Sequence, residues 1–73
     1  MPKVPQISGA EAVKAFGKAG FERIRQRGSH VTLKKQGFFK IITVPLHNPV
    51  DRWLLASLIK DAQLTVDEFI DLL

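Results

Sequence analysis

The sequence of 73 residues contains no cysteine, which excludes a disulfide framework and any metal site built on thiolates. Its longest apolar runs, such as residues 53–56, are far too short to cross a membrane. The first residues hold one lysine and no apolar stretch, so no signal peptide is predicted. These absences predict a soluble, cytoplasmic protein without a membrane segment, whose small core must be stabilised by packing alone.

Acidic residues are also missing from the middle of the chain. The net charge is +4, and residues 23–40 carry six lysines and arginines but no aspartate or glutamate. This distribution favours an anionic partner, nucleic acid first and an acidic protein second. The alternative interpretation is a solvated basic surface that keeps a small protein in solution.

Two capping boxes mark the first and the last predicted helix. Ser8 precedes Glu11 by three residues, and Thr65 precedes Glu68 by the same spacing, so each pair can satisfy backbone groups at a helix start. The first helix is predicted from Ser8 to about Ala19, and a short final helix is predicted to open at Thr65.

Between these helices the sequence predicts three strands. Residues 21–26 form a plausible strand with poor alternation, residues 29–35 alternate cleanly, and residues 38–46 are the longest β-prone run. Arg-Gly at 27–28 and Gln-Gly at 36–37 are typical turns. Short turns between consecutive strands predict an antiparallel meander.

The segment after the third strand predicts a second long helix that runs to about Ala62. Its N-cap is either Asn48, followed by Pro49, or Asp51. The order of elements predicts a single α+β domain spanning residues 1–73, with helices on one face of the sheet and the other face open.

His30 is the first candidate for a catalytic residue. If Val31 and Leu33 point at the helices, His30 must point at the open face. An uncharged imidazole can act as a general base, and RNA carries its own nucleophile in the 2′-hydroxyl. Cations near it can bind phosphate; the candidates for RNA binding are Arg25, Arg27, Ser29, Lys34 and Lys35. The alternative is an exposed strand histidine without a function.

His47 is a second candidate, for which a loop or helix-capping role is the alternative. With two histidines, no cysteine and carboxylates mostly in the C-terminal helices, no metal site or cofactor is predicted. Ser29 lacks the strained turn and the orienting acid of a triad nucleophile.

The residues together resemble the HicA family of toxins from type II toxin–antitoxin systems. The resemblance rests on segments at residues 19–21 (AGF), 25–30 (RQRGSH), 43–47 (TVPLH), 58–62 (LIKDA) and 64–69 (LTVDEF). It implies a fold like that of double-stranded-RNA-binding domains and an endoribonuclease that cleaves mRNA with His30. It also implies a HicB antitoxin that covers this histidine.

The sequence departs from the family pattern at two places. Val31 stands where family members usually carry a polar residue or a second histidine, and residues 53–56 (WLLA) replace a Gly-Thr-Leu-Arg stretch. The second departure puts RNA or partner contacts of this helix in doubt. A non-catalytic RNA-binding module and a protein-interaction domain therefore stay open as alternatives.

The third predicted strand is apolar on both faces, since Phe39 and Ile41 alternate with Ile42 and Val44. A sheet covered on one face needs only one apolar set, so the other set is predicted to meet an antitoxin. The alternatives are cover by the N-terminal arm, residues 1–7, or by a second copy of the chain in a homo-oligomer.

Overall fold

The elements of the chain follow the predicted order in a computed structural model, which describes residues 3–73. They are α1 (Gly9–Lys18), β1 (Glu22–Arg27), β2 (His30–Lys34), β3 (Ile42–Pro45), α2 (Arg52–Asp61) and α3 (Val66–Asp71). The three strands form one antiparallel sheet in the order β1-β2-β3. The predicted α+β class, with a fold like that of double-stranded-RNA-binding domains, is confirmed.

The sheet buries one face. Val31 and Leu33 of β2 and Ile42 and Val44 of β3 are all at most 1% exposed, while His30 and Lys34 lie on the exposed side. This alternation follows from the two-residue period of a strand. It leaves the side chains of the other parity facing outward, as predicted.

The core lies between this sheet face and the helices. Phe16 of α1 packs against Phe69 of α3 with ring centroids 4.9 Å apart, and against Phe21 at 6.0 Å. Leu55 and Ile59 of α2 complete it and are also fully buried. Tilted and edge-on aromatic pairs of this kind add to the stabilisation that apolar burial provides.

The helix starts are set by side-chain caps. Both predicted capping boxes are present, at Ser8 and at Thr65. For α2 the cap is Asp51, whose carboxylate accepts a hydrogen bond of 2.8 Å from the backbone of Trp53. The alternative with Asn48 as the cap is therefore wrong. Trp53, one residue into this helix, is 88% exposed.

The third strand is shorter than predicted, because it begins at Ile42 rather than at Phe38. Residues 35–41 form a loop that two long-range contacts hold in place. Phe38 packs edge-on against Phe21 at 5.8 Å, and Lys40 forms a 3.1 Å ion pair with Asp61 at the end of α2. Phe39, between these two anchored residues, is fully exposed.

β1 is exposed along its whole length, including Ile24 at 50%. The pairing register slips between Arg23 and Arg25, so a bulge interrupts the alternation. The poor alternation of apolar and polar residues in this segment is therefore explained by its place at the edge of the sheet, where the helices do not cover it.

The N-terminal arm does not run across the open sheet face over its described part. Ile7 is buried in the core, and its carbonyl accepts a 2.8 Å hydrogen bond from the backbone of Val50. Residues 3–7 thus run beside the segment that leads into α2. The rest of the predicted arm, Met1 and Pro2, lies outside the described residues. Within residues 3–73, no helix has the length and hydropathy that a membrane span requires.

Candidate active site

His30 opens β2 beside the Gly28–Ser29 turn, and its side chain is exposed. Its register partners are Arg27 on β1 and Pro45 on β3. Within residues 3–73 the imidazole has no hydrogen-bond partner, and no salt bridge involves it. The ring is therefore held by the strand backbone and is accessible to a ligand from the open face.

His47 lies just beyond the end of β3, where two backbone hydrogen bonds hold the chain. The amide of Leu46 donates to the carbonyl of Ser29 at 2.6 Å, and the amide of Gly9 donates to the carbonyl of His47 at 2.8 Å. The first bond ties this segment to the turn that precedes His30, and the second ties it to the start of α1. The exposed imidazole of His47 takes no part in either bond.

The fold brings the two histidines side by side. Their ring centroids are 6.4 Å apart and their planes meet at 72°. A histidine side chain can donate or accept a proton. Two such rings at this separation can contact opposite sides of one small chemical group. We call this arrangement the histidine pair.

Two arginines of β1 lie on the face that carries His30. Arg27 is opposite His30 and Arg25 is opposite Thr32 in the register. Directly opposed residues on paired strands project to the same face of a sheet. Arg25 and Arg27 therefore add positive charge beside the histidine pair, and the exposed hydroxyl of Ser29 adjoins them in the turn.

The two predicted lysines lie farther away. Lys34 closes β2, four residues from His30 and hence about 13 Å along the strand, where Glu22 is its register partner. The ammonium of Lys35 lies 4.8 Å from the ring centre of Phe38 and 5.8 Å from that of Phe21. Such a cation–π contact engages the charge of Lys35 within the fold. The structure thus separates both lysines from the histidine pair.

Among residues 3–73, no group of three or more histidine, aspartate or glutamate side chains is arranged to hold a metal ion. Far from the histidine pair, hydrogen bonds from the backbone and then the hydroxyl of Thr65 lower the pKa of the Glu68 carboxyl group. This shift belongs to a helix cap and has no part in the site.

Two residues with a bearing on the site were missed by sequence reasoning. Gly9 fits under the end of β3, where a Cβ would meet the backbone of Pro45 and Leu46. Trp53 lines a surface groove with Lys3, Val4, Arg52 and Ala56. Periodicity could not reveal either feature, because both depend on the approach of segments that are distant in sequence.

The match to known proteins covers the elements that build this site. A family model described as the HicA toxin of bacterial toxin–antitoxin systems matches residues 9–64, which include α1, the sheet, α2 and both histidines. No curated protein matches the chain significantly. Family membership implies pairing with a HicB antitoxin. A match over more than half of the residues shows that the chain belongs to the HicA toxin family.

Proposed function

We propose that this toxin is a metal-independent endoribonuclease that cleaves mRNA and arrests translation, with His30 and His47 as its proton-transfer groups. The observation that carries the proposal is the separation of 6.4 Å between the two exposed imidazoles. Cleavage of RNA through its own 2′-hydroxyl needs one group that takes up a proton and one that delivers it. The histidine pair offers both at one place on the surface.

In the proposed reaction, His30 accepts the proton of the 2′-hydroxyl while the 2′-oxygen attacks the adjacent phosphorus. The bond between phosphorus and the 5′-oxygen breaks, and protonated His47 delivers its proton to that oxygen. The products are a 2′,3′-cyclic phosphate and a free 5′-hydroxyl. Both proton transfers require the phosphodiester to lie between the two rings. The 2′-oxygen must then be within about 2.6–3.2 Å of a nitrogen of His30, and the 5′-oxygen within the same distance of a nitrogen of His47.

The arginines beside the pair have a separate role in this proposal. Arg25 and Arg27 lie on the same sheet face as His30, where they can bind the phosphate that reacts and those next to it. Fixed positive charge close to the phosphoryl oxygens stabilises the charge that develops as the bond to the leaving group breaks. Contacts to phosphate carry no sequence information, so they position the RNA without selecting it. Ser29 and Lys34 complete the proposed RNA surface, and Lys35 contributes less, because its ammonium lies over aromatic rings.

The first test is cleavage of RNA by purified protein in EDTA, comparing wild type with His30→Ala. Loss of a general base is expected to reduce the rate by about 10²–10⁴-fold. The exposed side chain has no part in the core, so thermal melting should be unchanged. Cleavage by the variant at the wild-type rate would remove His30 from the mechanism. RNA binding by the wild type without any cleavage would instead identify a non-catalytic RNA-binding module.

The role of His47 can be separated from that of His30 with two substrates. An ordinary phosphodiester needs a proton on its leaving oxygen, whereas an activated ester with a 4-nitrophenyl leaving group does not. His47→Ala should therefore cleave RNA about 10²–10⁴-fold more slowly and keep most of its activity on the activated ester. His30→Ala should lose activity on both substrates. Equal losses of the two variants on the activated ester would contradict the assignment of His47 as the acid.

A further inference from the structure

Trp53 is exposed at the start of α2 and does not pack in the hydrophobic core. It is 88% exposed, while Leu55, Leu58 and Ile59 provide the buried face of the same helix. The indole lines an open groove of about 390 Å³ together with two cations, Lys3 and Arg52, and two apolar residues, Val4 and Ala56. A scattered exposed apolar residue is ordinary, but an aromatic ring in a groove with cations is the composition of a nucleic-acid contact.

The nearest acidic side chain in sequence is already engaged by the fold. Asp51 accepts a 2.8 Å hydrogen bond from the backbone of Trp53 and caps α2. Its carboxylate therefore serves the helix start. The two cations attract phosphate to the groove, and the indole ring that lines it with them offers a flat apolar surface to a base.

The groove lies close in sequence to the segment that carries His47. Trp53 follows His47 by six residues, so their Cα atoms are at most about 22 Å apart. The N-terminal arm spans the same distance. The amide of Gly9 donates to the backbone carbonyl of His47, and the carbonyl of Ile7 accepts from the amide of Val50. Farther along the arm, Lys3 lines the groove. An oligonucleotide of the length that single-strand-binding sites cover, about 4–16 nucleotides, can reach both places.

We propose that Trp53 is a stacking platform for a base of the RNA strand, and that Lys3 and Arg52 bind the phosphates that flank that base. This subsite rests on the proposed function, since it takes RNA as the ligand. Stacking on an aromatic ring is tolerant of sequence, so the subsite increases affinity and fixes the path of the strand to the histidine pair. An acidic segment of a protein partner is the competing occupant, and the test distinguishes the two.

The protein carries its own reporter for this test. Trp53 is the only tryptophan and there is no tyrosine, so emission excited at the indole band comes from this one ring. The ligand is a single-stranded 2′-O-methyl oligonucleotide, which lacks the nucleophile, titrated into full-length His30→Ala. We expect saturable quenching of the emission, because a stacked base quenches an indole. Inorganic polyphosphate, which has phosphates and no bases, should bind without comparable quenching.

Affinity is measured in parallel by fluorescence anisotropy of a labelled oligonucleotide. Trp53→Ala in the His30→Ala background should bind on the order of 10- to 100-fold more weakly, as expected for loss of a stacking ring. Trp53→Phe should recover part of the loss, since it keeps an aromatic face. The matched control is Ile70→Ala, which removes an exposed apolar side chain from α3 and should leave binding unchanged.

Two results would overturn the proposal. One is binding of the oligonucleotide by Trp53→Ala as tightly as by its parent. The other is quenching by poly-glutamate with none by the oligonucleotide, which would assign the groove to an acidic polypeptide. The His30→Ala protein and the 2′-O-methyl ligand cannot react in these measurements. If the wild type failed to cleave RNA, the proposed function would be refuted, but the binding measurements at Trp53 would still test the stacking proposal.

Discussion

Gly9, the first residue of α1, lies against the backbone where β3 ends. A Cβ at this position would clash with the carbonyl oxygen of Pro45 and would lie 2.6 Å from the Cα of Leu46 and 2.9 Å from the carbonyl carbon of Pro45. These are backbone atoms at and just beyond the end of a paired strand, so they cannot rotate away as the tip of a side chain could. Gly9→Ala must therefore push α1 and the end of β3 apart.

The same substitution at Gly17 is a matched control, because a Cβ there meets nothing within 4 Å. Overpacking of this kind costs about 1–3 kcal/mol, and about 2 kcal/mol would lower the Tm of a domain this size by roughly 8–16 °C. Gly17→Ala gains helix propensity of about 0.5–1 kcal/mol, which corresponds to a rise of roughly 2–8 °C. The two glycine-to-alanine changes in one helix are thus expected to have opposite signs.

Thermal unfolding followed by circular dichroism measures both shifts, and RNA cleavage well below each midpoint measures the effect on the site. The amide of Gly9 holds the carbonyl of His47, so the folded fraction of Gly9→Ala should also cleave RNA more slowly, whereas Gly17→Ala should cleave normally. Equal stabilities of the two variants would refute the packing argument. A destabilised Gly9→Ala with full activity per folded molecule would refute the link between this contact and His47.

Three further predictions concern charge and the exposed loop. Arg27→Ala should flatten the dependence of log K on log salt for RNA binding by about 0.7, and Lys35→Ala should change it less, because that ammonium lies over aromatic rings; equal changes would contradict this. Phe39→Asp should weaken binding of the HicB antitoxin in a calorimetric titration without lowering Tm, since Phe39 is fully exposed; unchanged affinity would place the antitoxin elsewhere. Hydrogen bonds from Thr65 lower the pKa of Glu68 from its ordinary value of 4.5, so the stabilisation from the Glu68 carboxylate is present above that pH and lost as pH falls through the lowered pKa. The difference in urea midpoint between wild type and Glu68→Gln should therefore shrink below about pH 4.5. A difference that stays constant with pH would show that the Glu68 carboxylate does not stabilise the helix cap.

Much of the fold was predictable because local rules and burial agree. The capping boxes at Ser8 and Thr65 are formed by residues three apart, so their geometry needs no tertiary information. The alternation of Val31 and Leu33 with His30 identified the buried face of β2, since only one face is covered.

The loop before β3 was not predictable, because long-range contacts override its β propensity. Phe38 and Lys40 belong to a run that reads as a strand, yet Phe38 packs on Phe21 and Lys40 pairs with Asp61. Lys35 was assigned to RNA binding from its charge alone, and its position over two rings depends on the same loop. None of these three contacts has a signal in the local sequence.

The histidine pair depends on this loop through the register of the β2–β3 hairpin. A two-residue turn at 36–37 would pair residue 35 with 38, and hence His30 with Thr43. The longer loop instead places Pro45 opposite His30, a shift of two residues. A shift of two preserves which face each side chain occupies, whereas a shift of one would reverse it. The exposure of His30 was therefore predictable even with the wrong register. The shift has a second effect, because His47 now follows the partner of His30 by two residues instead of four. The proximity of the two rings is a property of the register, which the sequence pattern alone left open.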